Sequence, residues 1–212
     1  MGLRFVVPIR WVEKKGIYTV GHSNHEISFF LDLLKVHSIN CIVDVRTLAA
    51  SRFNPQYNKS KLSASLRDQG ITYIHMPEEF GARHSAPELL TEGRVDFDKV
   101  RNSAIFKKGI DRLRHGLNKG FRIALMCAEA EPLDCHRFGL ISVALKDEFE
   151  IYHILKDKSV MANHDLEQEL LKKYKKKLLT SDLFQSAHTY QERLSAAYHL
   201  LNLEIGYVAD KK

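Results

Sequence analysis

Short apolar runs alternate with amphipathic stretches along the first three-quarters of the chain. Five runs read as strands: residues 17–20, 41–45, 72–76, 122–127 and 151–155. They are apolar or β-prone and are bounded by glycine, proline or polar loops. Between the first two, Ile27, Phe30, Leu31 and Leu34 fall at i, i+3, i+4 and i+7, the spacing of an amphipathic helix. Further helices are predicted over 61–68, 103–117 and 136–149, the first ended by Gly70 and the second by 118–120. Residues 78–102 have mixed polarity and read as a long loop with a short helix. Such a segment inside a compact domain is more often functional than idle. Strands that alternate with helices and are apolar almost throughout predict an α/β fold: an open, mainly parallel sheet with helices on both faces. After Lys158 the texture changes to two helical patterns, 165–179 and 185–203. They predict a helical C-terminal extension, 159–212, packed on an α/β domain, 1–158.

Composition narrows the class. The 212 residues are 44% hydrophobic and 27% charged, which excludes a chain disordered throughout. No apolar run approaches membrane-spanning length. The opening MGLRFVVPIRW is too short and too interrupted by Arg and Pro for a signal peptide. Three cysteines make no disulfide framework and fit a reducing compartment. A cytoplasmic protein without membrane association is expected. The formal charge of +6 favours an anionic partner: a nucleotide, a nucleic acid or another phosphate-bearing ligand. Residues 101–122 hold seven Lys or Arg against one Asp. A phosphate-tracking surface and a solvated helix face account for that pattern equally well. The run KKYKKK, residues 172–177, reads first as a solvated face.

In open α/β sheets ligands bind beyond the carboxyl ends of the strands. Four predicted strand ends carry reactive or charged residues: Gly21, His22, Ser23, Asn24 and His25; Asp44, Arg46, Ser51 and Arg52; Glu78, Glu79, Gly81, Arg83 and His84; and Cys127, Glu129, Glu131, Cys135, His136 and Arg137. Their meeting at one rim is the main reason to expect a site. In an enzyme acting on a phosphate-bearing substrate, Arg46, Arg52, Arg83 and Arg137, with Ser23, would bind the anion. Asp44 or Glu129 would position a water or take its proton, and His22 or His136 would move a proton. Cys127 or Cys135 would be a nucleophile. Cys135 falls near a helix start, where the dipole and Arg137 lower a thiol's pKa; the same geometry also suits a bound anion. Cys127, on a core strand, equally fits inert packing. A metal ranks below an anion. The spacing C-x7-C-H matches no common zinc pattern, and Pro132-Leu133-Asp134-Cys135 breaks the deaminase signature. No metal ligands are assigned, and no cofactor is named. Two alternatives stay open: a nucleic-acid-binding module without catalysis, and a Cys/His metal-binding or redox protein.

Four motifs, in order, carry a resemblance: T-V-G-H-S at 19–23, V-D-V-R at 43–46, S-R-x-N-P-x-Y at 51–57, and M-C-A-E-x-x-P-x-x-C-H-R at 126–137. Together they resemble the domain-of-unknown-function 488 family over residues 17–155. The resemblance implies a single α/β domain and supplies no function. The family's typical proline after V-D-V-R is absent, the chain reading Leu48-Ala49-Ala50 there. Phe80-Gly81-Ala82-Arg83 stands where L-G-G-R is common. These departures imply a less rigid loop and one fewer permissive glycine at the ligand pocket.

Overall fold

The structure is a computed structural model that describes residues 15–181 and 189–209. The opening segment read above against a signal peptide, and the start of the last predicted helix at 185–188, lie outside the described residues. In chain order the strands are β1 (Gly16–Gly21), β2 (Cys41–Asp44), β3 (Thr72–His75), β4 (Leu90–Thr91), β5 (Arg94–Val95), β6 (Ile123–Cys127), β7 (Glu150–Ile154) and β8 (Val160–Ala162). The helices are α1 (Ile27–Val36), α2 (Lys59–Asp68), α3 (Pro77–Phe80), α4 (Phe97–Asn102), α5 (Ala104–Asn118), α6 (Val143–Leu145), α7 (Asn163–Ser181) and α8 (Tyr190–Ile205).

Six strands form one sheet in the order β3-β2-β6-β1-β7-β8. All neighbours are parallel except β7 and β8. Alternation along each strand sorts side chains between two layers. Ile17, Cys41, Val43, Ile123, Leu125, Cys127 and Ile151 face a core shared with α4, α5 and α6. Tyr18, Val20, Ile42, Ala124, Met126 and Ile154 face a core shared with α1 and α2. A strand sandwiched in this way needs apolar residues at consecutive positions, which is why the strand runs lack a polar face.

Three departures from the sequence reading have physical causes. The edge strand β8 and the β4–β5 hairpin are two or three residues each, too short to show a period. Residues 78–102 are more ordered than a loop with one helix: Asp96 caps α4 by accepting from the Asp98 and Lys99 amides. The helix expected over 136–149 is a π-helical turn, Arg137–Ser142, that continues into α6. All six residues of the turn are buried, and the Ser142 hydroxyl donates to the Arg137 carbonyl five residues back, at 2.8 Å. Such turns concentrate at functional sites. Phe138 of this turn joins a third core built by α7 and α8 around Leu166, Leu170, Leu194 and Leu201.

A buried polar chain ties β1 and β7 to α7. His153, wholly buried, lies 2.8 Å from Thr19 Oγ1 through Nδ1 and 3.2 Å from Asn163 Oδ1 through Nε2. Burial, and next the charge of Arg137, bring its pKa down to about 3 from 6.5. The folded chain therefore refuses a proton that the unfolded chain takes below pH 6.5. Its stability should fall by about 1.4 kcal/mol per pH unit from this residue as pH drops from 6.5 toward 3. Urea denaturation of His153→Gln at pH 7 and pH 5 checks this. The variant should lose that much of the pH slope, and an unchanged slope would refute the assignment.

Candidate active site

β1 and β6 are hydrogen-bonded neighbours, yet the chain leaves β1 for α1 on one face and leaves β6 for the π-helical turn on the other. The two connections part and open a crevice at the carboxyl end of the sheet, the place where α/β proteins bind ligands. The strand ladder runs on into it: His22 N–H donates to the Cys127 carbonyl at 3.0 Å and Ser23 N–H to the Ala128 carbonyl at 2.9 Å. The loop after β6 then passes directly over Gly21. A Cβ on Gly21 would lie 1.8 Å from the Glu129 carbonyl oxygen. The crevice widens into a cavity of about 500 Å³. His22 and Ser23 line it after β1, Arg46, Thr47, Leu48, Ser51 and Asn54 after β2, Ala82 and Arg83 from the loop after α3, and Cys127, Glu129 and His136 from β6 and the loop beyond it.

One wall is a fixed ion pair. Asp44, fully buried, accepts from Arg46 Nε at 2.9 Å, Arg46 Nη2 at 2.6 Å, the Arg46 amide at 3.1 Å and the Tyr73 hydroxyl at 2.7 Å. Arg46 also donates to the Tyr57 carbonyl, and its Nη1 lies 3.0 Å from His22 Nε2. His22 Nδ1 lies 2.7 Å from the Ser23 carbonyl, so Nδ1 carries the proton and Nε2 accepts from Arg46. The His22 ring stacks on Tyr57 at 4.0 Å. Burial, outweighing the Ser23 hydrogen bond, lowers the His22 pKa to about 4, so the imidazole is neutral near pH 7. Both its nitrogens are engaged in holding the wall.

The floor is a cluster of two thiols, a carboxylate and an imidazole. Glu129 Oε2 lies 2.7 Å from Cys127 Sγ and 3.2 Å from Cys135 Sγ. His136 Nδ1 lies 3.6 Å from the first sulfur and 3.8 Å from the second. His136 Nε2 is 3.2 Å from the Val45 carbonyl. A carbonyl only accepts, so Nε2 holds a proton and Nδ1 is the ring nitrogen that faces the sulfurs. Burial, then Cys135 and Glu129, push the Cys127 thiol up. Burial works against ionising Cys135 too, but the Cys127 thiol, Arg137 and His136 outweigh it and hold Cys135 well below the usual thiol range. Burial first, with Cys135 beside it, raises Glu129. For His136 burial lowers the pKa, and the negative charge drawn to Cys135 more than reverses it. The four donor groups all lie within 4.8 Å of one another, the one such group of potential metal ligands among the described residues.

Arg137 lies beneath the cluster, fully buried, and does not line the cavity. Its guanidinium donates to the Glu129 carbonyl at 2.6 Å and the Ala130 carbonyl at 2.8 Å, and its amide lies 3.4 Å from Cys135 Sγ. It pairs with no carboxylate among the described residues. Arg52 is exposed and outside the cavity. Arg83 lines the cavity, with its amide on Thr47 Oγ1 at 3.1 Å and its guanidinium over Tyr207. Gly81 permits a close approach, though to Thr47 and the Pro77 carbonyl rather than to open space.

The basic stretch is largely spoken for. Arg101 donates to the Gly139 carbonyl, Arg112 pairs with Glu79, Arg114 with Asp111 and Glu148, and Arg122 reaches the His37 carbonyl and the Tyr18 hydroxyl. In the lysine run, Lys172 and Lys173 pair with Glu169 and Glu204. Sequence reasoning passed over Tyr57 and Tyr73, which support the wall. Tyr57 stood in a motif already singled out; Tyr73 sat in a strand with no signal beyond its hydroxyl.

An open, doubly covered α/β sheet with one thiol-bearing crevice at its topological switch point defines the general class. Within it, residues 26–144 match the family described as Domain of unknown function DUF488, which is more than half of the chain, and the protein belongs to that family. No curated protein and no solved structure matches it. Among the described residues no helix is long and apolar enough to cross a membrane.

Proposed function

We propose that the protein is a hydrolytic enzyme acting on a phosphate-bearing substrate, a nucleotide or nucleic-acid end, in the strand-end cavity. The observation that carries the reading is the floor. Cys127, Glu129 and His136 face a cavity of about 500 Å³ and are joined by hydrogen bonds, with Cys127 also packed in the core beneath. Placing a buried imidazole and thiol against a carboxylate costs stability, so their position is better explained by chemistry than by folding. Glu129 takes the proton of the attacking water. Arg83, Arg46 and Ser23 meet the anion from the walls. Asp44 and His22 are positioning residues that act through Arg46. Three free cysteines support a reducing, cytoplasmic setting. The nucleic-acid-module alternative has less behind it, because Arg101, Arg112, Arg114 and Arg122 are engaged within the fold.

The test is hydrolysis of p-nitrophenyl phosphate, bis(p-nitrophenyl) phosphate and a set of nucleoside mono-, di- and triphosphates, followed by released product. At least one substrate should turn over. Glu129→Gln should lower kcat by about 10²-fold or more, and Arg83→Ala should mainly raise KM. A panel with no turnover, or a Glu129→Gln variant as fast as the parent, would end this reading.

A further inference from the structure

We infer that Cys127, Cys135, His136 and Glu129 are the ligands of a divalent, thiol-preferring metal ion, zinc by chemistry, that faces the cavity. The inference deepens the hydrolase reading, and its account of the substrate rests on that reading; the ligand set rests on geometry alone.

Three observations converge. The first is spacing. Zinc sits about 2.3 Å from sulfur and about 2.0–2.1 Å from nitrogen, which sets tetrahedral S···N edges of about 3.5 Å. His136 Nδ1 stands 3.6 and 3.8 Å from the two sulfurs, while Glu129 Oε2, at 2.7 and 3.2 Å, stands closer than such an edge and draws back when an ion enters. The second is the outer support. His136 Nε2 lies on the Val45 carbonyl at 3.2 Å, which fixes the tautomer that leaves Nδ1 free to ligate. The Arg137 amide lies 3.4 Å from Cys135 Sγ, an N–H···S contact that steadies a thiolate. The third is charge. Two thiolates and a carboxylate around a divalent ion leave one net negative charge. Arg137 brings one buried positive charge to the carbonyls of the loop that carries Glu129, with no carboxylate partner among the described residues. A divalent ion is the charge state that balances.

The donors differ in a way that matters for function. Cys127, Cys135 and His136 are buried, whereas Glu129 is exposed through the cavity. Two cysteines and a histidine with a replaceable fourth position make an open rather than a closed zinc site. Glu129 is the donor that a water or a substrate oxygen displaces, and once displaced its carboxylate stays beside that water. The ion also removes a conflict: without it, an anionic substrate would be drawn toward a floor of carboxylate and thiolate. Soft sulfur donors select zinc over magnesium or calcium.

The test uses the full chain, expressed without a metal-binding tag and purified without chelator. Elemental analysis should find close to one zinc per chain. The reduced, chelator-stripped chain should take up Co(II) with the visible bands of a tetrahedral site and a near-ultraviolet sulfur-to-cobalt band. That band should fall by about half in Cys127→Ser and in Cys135→Ser, each checked for folding by circular dichroism. If neither variant folds, the cobalt spectrum of the parent decides alone. A folded, reduced parent that binds neither zinc nor cobalt, or a freshly purified chain that carries a Cys127–Cys135 disulfide and no metal, overturns the inference. Stoichiometric metal without turnover on the phosphate panel would sink the hydrolase reading and leave the centre standing. Full turnover by the metal-free chain would leave the hydrolase reading standing and overturn the ion's part in it.

Discussion

Gly21→Ala should cost about 3 kcal/mol or more and empty the site. The added methyl would stand 1.8 Å from the Glu129 carbonyl oxygen and 2.8 Å from its carbon, both backbone atoms. No rotamer change relieves a collision with main chain. Relief requires the β6 loop to lift, and that loop carries Glu129 while its carbonyls are held by Arg137. Urea denaturation should show the loss of stability, and whatever fraction folds should lack both bound metal and hydrolysis. Gly70→Ala is the control. Gly70 has φ +70° with nothing near its absent Cβ, so alanine there meets backbone strain alone, about 1 kcal/mol. Equal losses at the two positions would show that the crowding at Gly21 is absorbed elsewhere.

How far the sequence reveals this arrangement depends on what each element requires. Buried parallel strands need unbroken apolar runs, so β1, β2, β6 and β7 are readable one residue at a time, and the edge strand β3 shows itself by its β-prone residues instead. Their carboxyl-end loops then follow from topology, and the gathering of His22, Arg46, Arg83, Cys127 and His136 around one cavity follows with them. The direction of each side chain does not follow. Arg137 belongs to the same motif as His136, yet the π-helical turn directs it beneath the loop, where it braces two carbonyls. A turn that bonds five residues back has no hydrophobic period to distinguish it from an ordinary helix. The ligand spacing is hidden for a related reason. Cys127 ends a strand and Cys135 precedes the turn, with a 3₁₀ turn, Pro132–Asp134, between them. Patterns drawn from single zinc loops do not cover donors on such different elements.

Two buried arginines, Arg46 and Arg137, flank the cavity and its floor, and they are neutralised differently. Arg46 has its own carboxylate, Asp44, while the Arg137 guanidinium donates to the Glu129 and Ala130 carbonyls beside the thiol cluster and pairs with no carboxylate among the described residues. The wall is therefore electrically complete without a ligand, and the floor depends on what the sulfurs carry. Under the proposed hydrolase, the charge of the floor can change while the wall keeps its shape.

Asp44→Asn tests the wall directly and should destabilise the chain by about 3–5 kcal/mol. Asparagine fills the same space, but it leaves the Arg46 guanidinium, 6% exposed, without a counter-charge and offers one acceptor oxygen where two were in use. Tyr73→Phe removes a single hydrogen bond to the same carboxylate and should cost about 1–2 kcal/mol. Removing both charges, Asp44→Asn with Arg46→Met, should recover part of the loss, because an apolar pair needs no desolvated ion. Denaturant midpoints measure all three. Hydrolysis should not return with stability in the double variant: without Arg46, His22 Nε2 loses its donor and the proposed anion would lose one of the two cationic side chains that line the cavity. A double variant that regains stability and also turns over substrate would show that Arg46 serves folding alone.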